Sequence, residues 1–376
     1  MGAAGVPRPR VLLIIQEHTR WRRAKHVSYC AQLGLEEALG AHGIECFTLT
    51  TAWLDRARRL CAGRRFDQVW IDVVQSSLGD EVFADPALLD WVASLAPVRV
   101  GLLAESLDYL PEEVREYPTL GRRRVNVEAR IRYLTHVLAC DEKDAARIAG
   151  GGTAQALWWP QAVPERSIGP IDPVPPDAPA TFIGAVYGER SNWLERADLI
   201  GLLARLPPPE NSTPYPFCFD TLNRATRIFL RGRLPGTAPA HAAYLRAVRR
   251  IRRRCFALWL ASLRTGCAVV NLPSFVKTYA GRVVEGMAAG RPIISWDIPD
   301  RPRNRALFED DREILLFPKE SPDRLADRIG RIRRDPAFAR RIAERGQEKV
   351  RRLHTLERRV REVLDWIETG DQPAYV

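Results

Sequence analysis

The stretch at residues 269–296, VVNLPSFVKTYAGRVVEGMAAGRPIISW, narrows what this chain can fold into more than any other part of it. Val269 and Val270 end an apolar run, which Pro273 and Ser274 break. Gly281 opens a short helix bearing Val283, Val284, Met287 and Ala288. Gly290 closes it, because a residue without a Cβ takes the left-handed cap at low cost. Arg291-Pro292 then leads into the β-branched pair Ile293-Ile294. Strand, helix and strand in this order predict a right-handed parallel crossover. Ligands of such sheets bind at the carboxyl ends of the strands, where this loop and helix start fall. The loop carries Lys277 and Arg282 to a helix N-terminus, an environment that favours a phosphate. Glu285 follows Arg282 by three residues, so both can face one site.

The same alternation runs through the rest of the chain. Strands are expected at 11–16, 44–50, 67–74, 98–104 and 136–140, with helices at 28–40, 53–61, 86–95, 122–134 and 142–149. That pattern predicts a parallel, doubly wound α/β sheet. Seven prolines between Pro160 and Pro179 mark a linker. A second unit opens with a strand at 180–186, which runs into Tyr187-Gly188-Glu189-Arg190, and a helix at 193–206. Tyr244, Val248, Ile251 and Cys255 fall at helical spacing. A strand at 313–317 and helices at 322–333, 337–352 and 356–367 complete it. The expected division is therefore 1–160, a linker at 161–179, a second domain at 180–355, and a closing helix at 356–376.

A length of 376 residues suits two domains, each with its own core. The net charge of +11 favours anionic partners: nucleotide diphosphates, acidic membrane surfaces or nucleic acid. The seven cysteines are scattered and form no C-x-x-C pair, which points to reduced, buried thiols rather than a disulfide frame or a zinc site. The apolar runs at 11–15 and 256–263 are too short for a signal sequence or a membrane span. A cytoplasmic protein is expected, with any membrane contact peripheral.

Residues 269–296 resemble the donor-binding segment of GT-B glycosyltransferases, which carry a "PS…E-x7-E-A-M-A-x-G-x-P" pattern. Pro273, Ser274, Glu285, Met287, Ala288, Gly290 and Pro292 match it as they stand. The run Phe308-Glu309-Asp310-Asp311-Arg312-Glu313-Ile314, followed by His354-Thr355 with Arg358 and Arg359, is similar to the family 4-like, group 1 branch that includes CgeB-like proteins. The resemblance covers roughly the C-terminal half. One position departs from it: Lys277 stands where the pattern has its first glutamate. The resemblance implies two Rossmann-like domains facing an interdomain cleft, with the last helix crossing back onto the first domain. It implies a nucleotide-diphosphate sugar as donor, UDP-sugar foremost, and no metal or further cofactor. It assigns Glu285 to the ribose diol, in a site that Ser274 and Gly281 line. Lys277 and Arg282 would neutralise the departing diphosphate. Arg190 is a candidate for the same phosphates, because similar loops approach them.

Catalytic groups are sought in the first domain, because inverting transfer needs a general base near the acceptor hydroxyl. His18 follows the first strand and Glu105 the fourth, and Glu105 is the preferred base because its strand end faces the cleft. Lys277 is the catalytic candidate on the leaving-group side. Asp72 reads as structural, and Asp108 and Asp141 are weaker candidates. The basic run at 249–254 and the loop at 20–25 suit anionic lipid, a phosphorylated acceptor or a solvated surface; nucleic acid is the less favoured partner. Two rivals stand beside a transferase: a sugar-nucleotide epimerase on the same fold, and an inert sugar-nucleotide or nucleic-acid binding protein.

Overall fold

The computed structural model describes residues 9–15, 33–73, 86–184, 186, 188–206 and 236–376. Two parallel sheets with flanking helices organise these residues. The first contains β1 (Arg10–Ile15), β2 (Glu45–Thr50), β3 (Gln68–Asp72), β4 (Val98–Leu103), β5 (His136–Ala139) and β6 (Gln155–Trp158), in the order β2-β1-β3-β4-β5-β6. The second contains β7 (Ala180–Ile183), β8 (Leu203–Leu206), β9 (Val269–Asn271), β10 (Ile293–Trp296) and β11 (Leu315–Phe317), in the order β11-β10-β9-β7-β8. The inner strands are buried almost throughout, as VLLII in β1 after the exposed Arg10 and VVN in β9 are, because helices cover both faces of a parallel sheet. Around the first sheet lie α1 (Leu33–Ala41), α2 (Ala57–Cys61), α3 (Pro86–Ser94), α4 (Pro111–Glu116), α5 (Pro118–Ile131) and α6 (Glu142–Gly150).

Each sheet has a point where its strand order reverses. The chain runs from β1 outward to β2 and returns to β3; it runs from β7 outward to β8 and returns to β9. Such reversals leave a crevice at the carboxyl edge. In the second sheet the described residues around it are 184, 186, 188–189 and 272–280. In the first sheet the loops after β1 and β3 lie outside the described residues, and so do His18 and the loop at 20–25.

The helix expected at 193–206 is corrected. The chain forms only α7 (Arg190–Leu194), a 3-10 turn at Ala197–Leu199, and then β8, which pairs with β7 in parallel. Gly201 in the left-handed region (φ 77) ends the helical run, and the free edge of β7 decides the state of the four residues after Leu202. β6 was not expected either. It seats Trp158 beside β5, with its indole N–H on the Cys140 carbonyl at 3.1 Å.

The helix expected around Tyr244 is α8 (Ala238–Leu263), and it reaches further than its apolar spacing indicated. Its first half packs on the first unit. His241 lies 5.6 Å from the Phe47 ring and 5.1 Å from Trp53, and Tyr244 lies 5.5 Å from Trp53. Arg249 chelates Glu36 through two nitrogens, and Arg253 donates to Glu37 at 2.7 Å. Its second half lies against α9 (Gly281–Ala288) in the second unit, where the Trp259 indole donates to Glu285 at 2.8 Å. The second unit is completed by α10 (Pro302–Ala306), α11 (Pro322–Arg334), α12 (Pro336–Leu353) and α13 (Leu356–Thr369). Thr355 caps α13, which packs on α1 and sets Trp366 edge-on to His136 at 5.1 Å. Among the described residues no helix is long and apolar enough to cross a membrane. Cys46, Cys61, Cys140 and Cys267 are free thiols.

Candidate active site

The crevice between β7 and β9 is built around the ring of Phe182, which points from β7. Two guanidinium groups lie against that ring, Arg282 at 5.0 Å and Arg190 at 5.4 Å from its centroid. Cations over an aromatic face gain electrostatically from the ring quadrupole. Arg282 also donates to the Ile183 carbonyl at 3.0 Å and to Asn271 Oδ1 at 2.8 Å. Gly184 makes the approach possible, because a Cβ there would lie 2.5 Å from Arg282 Nη2. Arg190 opens α7 and is buried.

Glu285 sits one turn into α9 and is only 2 % exposed. Trp259 holds its Oε2, while Oε1 faces the first turn, where a Cβ on Gly281 would come within 3.3 Å of it. Glycine at 281 thus leaves room for the carboxylate against the start of the helix. Gly290 takes the left-handed conformation (φ 74) just past α9, as its place in the sequence predicts. Ser274 shapes the loop before the helix by accepting from the Val276 N–H at 3.2 Å.

Lys277 belongs to the same loop, but its ammonium is engaged across the cleft. It donates to the Asp108 carbonyl and, at 2.9 Å, to Glu113 Oε2 on α4. The expectation of a phosphate contact did not include this carboxylate. Beside it Phe275 stands between two first-unit rings, Tyr109 at 6.2 Å and Tyr117 at 5.9 Å. The Tyr117 hydroxyl accepts from the Gly188 N–H at 3.1 Å, two residues before Arg190. The two carboxyl edges therefore face each other.

The opposite wall is the loop after β4 and the start of α6 after β5. Arg301, just before α10, donates to Asp141 at 2.7 and 3.0 Å and to Asp108 at 2.7 Å. The Arg301 and Asp141 side chains are 1 % and 0 % exposed. Burial works against ionising Asp108, but the Arg301 guanidinium, with Lys277 and Lys143, holds its carboxyl below the usual range. The Thr278 hydroxyl donates to the Cys140 carbonyl at 3.0 Å, and Glu142 accepts from the N–H groups of Arg303 and Asn304 at the start of α10. Asp144 is buried beneath this wall. Burial pushes its carboxyl up to about 6, against the pull of the Leu107 amide it accepts from.

Glu105 lies at this edge, half exposed, in an ion pair with Arg123 of α5. Asp72 ends β3 and is buried. The structure thus sets Arg190 and Arg282 against one ring, keeps Ser274, Gly281 and Glu285 on the adjoining loop and α9, engages Lys277 across the interdomain contact, and puts Glu105 on the facing loop. Sequence reasoning missed Glu113, Tyr117, Trp259 and Arg301. Their partners lie 164, 71, 26 and 160 positions away along the chain, so no local pattern marks them.

Two doubly wound parallel sheets that meet at their carboxyl edges, with an arginine-lined crevice in the second, define the GT-B class. Solved structures share this fold. Sucrose-phosphate synthase from Thermosynechococcus elongatus superposes with a TM-score of 0.63 at 13% identity, over 96% of this chain and 100% of that one. Anabaena HepE in complex with UDP and glucose gives 0.54 at 13% identity over 96% and 100%. An alpha-glucosyltransferase in complex with UDP and a 13-mer DNA gives 0.55 at 11% identity over 97% and 100%. Residues 217–365 match the profile of a family described as glycosyl transferase-like. No curated protein matches the chain.

Proposed function

We propose that this protein transfers a sugar from a nucleotide-diphosphate sugar to an acceptor, with the donor held mainly by the second unit. The observation that carries this reading is the pair of guanidinium groups, Arg190 and Arg282, on the Phe182 ring beside the buried carboxylate of Glu285. Phosphate oxygens accept from guanidinium in a fork geometry, and charge placed where the leaving diphosphate develops is the main demand of glycosyl transfer. Glu285, aimed by Trp259, accepts from the ribose hydroxyls. The arginines supply the charge that a divalent cation would otherwise bring, so transfer proceeds without metal. UDP-sugars are the first donors to test, because HepE and the alpha-glucosyltransferase were solved with UDP. Glu105 is the base on the acceptor side, and the half-exposed position of its carboxylate at the cleft edge supports that role.

Calorimetry with UDP and a series of UDP-sugars tests the reading. Binding to the wild type is expected, and Arg282→Met should weaken it roughly 10- to 150-fold, the equivalent of a lost charge-assisted hydrogen bond. Undiminished UDP affinity in Arg282→Met, with the protein folded by thermal unfolding, would place the diphosphate elsewhere.

A further inference from the structure

We propose that Lys277 and Glu113, which meet from opposite walls of the cleft, act together to read a hydroxyl of the donor's sugar. The inference rests on the donor site assigned above. Lys277 is 7 % exposed, and a buried ammonium requires partners. It has two: the Asp108 carbonyl and Glu113 Oε2, the latter at 2.9 Å. An ammonium carries three N–H groups, so one remains. Glu113 Oε2 also accepts from the Leu110 N–H at 2.7 Å, and among the described residues nothing takes Oε1. The pair thus presents one donor and one acceptor side by side.

That combination complements a hydroxyl, which donates one hydrogen bond and accepts others. It does not suit a phosphate or a carboxylate, because Glu113 already neutralises Lys277. Contacts between neighbouring residues link the pair to the loops that carry the arginines. Lys277 is five residues before Arg282, and Glu113 is four residues before Tyr117, whose hydroxyl holds the Gly188 amide near Arg190. A ligand with its diphosphate on the arginines therefore extends its sugar toward this mouth. Because the two side chains come from different units, the sugar subsite is complete only when the carboxyl edges meet.

Calorimetry on the full chain tests the proposal, with UDP, UDP-glucose, UDP-galactose, UDP-N-acetylglucosamine and UDP-glucuronate as probes. The wild type should bind at least one uncharged UDP-sugar more tightly than UDP. Lys277→Met and Glu113→Gln should each reduce that preference about tenfold while leaving UDP affinity unchanged. Glu113→Gln keeps an acceptor for Leu110 and leaves the Lys277 charge unpaired, so it should also shift preference toward UDP-glucuronate. It remains decisive if Lys277→Met fails to fold. An equal loss for UDP and UDP-sugar would put the pair at the phosphates and overturn the proposal. An unchanged sugar preference in both variants would reduce the pair to a clamp between the units. Wild-type protein that binds none of these probes would overturn the donor site itself.

Discussion

At the scale of single residues, burial and partner decide what each charged group can do. Glu285 is buried, accepts from the Trp259 indole N–H through Oε2, and has Oε1 beside the first turn of α9. Glu285→Gln keeps the size of the side chain and weakens its acceptor. It should lower donor affinity by roughly 1.5–3 kcal/mol with a smaller effect on folding; unchanged affinity by calorimetry would remove the ribose assignment. Asp144 gives a pH prediction. Its folded carboxyl is raised to about 6, above that of an unfolded aspartate, so the native protein holds a proton that the unfolded chain has already released. This contribution to stability is complete below about pH 4 and is lost as pH rises through about 6, up to roughly 3 kcal/mol for two pK units. Asp144→Asn keeps an acceptor for the Leu107 amide and removes the titration. Urea unfolding between pH 4 and 7 should show a flatter decline in the variant; an identical slope would refute the cause.

At the scale of elements, α8 carries the clearest energetic consequence. It reads as a basic helix, yet its charges divide by face. Arg249 and Arg253 are spent on Glu36 and Glu37 of α1, and Arg252 is buried, while Arg250 and Arg254 face solvent. The apolar stripe holds the helix to both units, with Tyr244 wholly buried on Trp53 and Trp259 on Glu285. Tyr244→Ala should cost about 3–5 kcal/mol by urea unfolding, as large-to-small aromatic changes do. Arg250→Ala should stay within about 0.5 kcal/mol. A small loss at Tyr244 would mean that the first half of α8 is not a structural strap.

At the scale of the whole molecule, the two arginines on the Phe182 ring come from one unit, while the contacts across the cleft join two. In the proposed function Arg190 and Arg282 answer the diphosphate, while the Arg301 contacts with Asp108 and Asp141 hold the facing edges together. Turnover with a UDP-sugar should accordingly survive EDTA. Loss of activity in EDTA that Mg²⁺ or Mn²⁺ restores would show that the arginines do not suffice for the leaving group.

Much of this was legible along the chain. The alternation of apolar strands and helices determined two parallel α/β sheets, because a buried parallel strand must be apolar on both faces and its crossover must be helical. The run from Val269 to Trp296 determined the strand–helix–strand unit of β9, α9 and β10, since Gly281 and Gly290 act where they stand at the two ends of α9. Tertiary structure alone decided β8 over a helix, because the edge of β7 offered hydrogen bonds that local preference could not foresee. It alone gave Lys277 its carboxylate, Glu285 its indole and Arg301 its two aspartates. Each of those contacts joins residues far apart in sequence, and only packing brings them within reach.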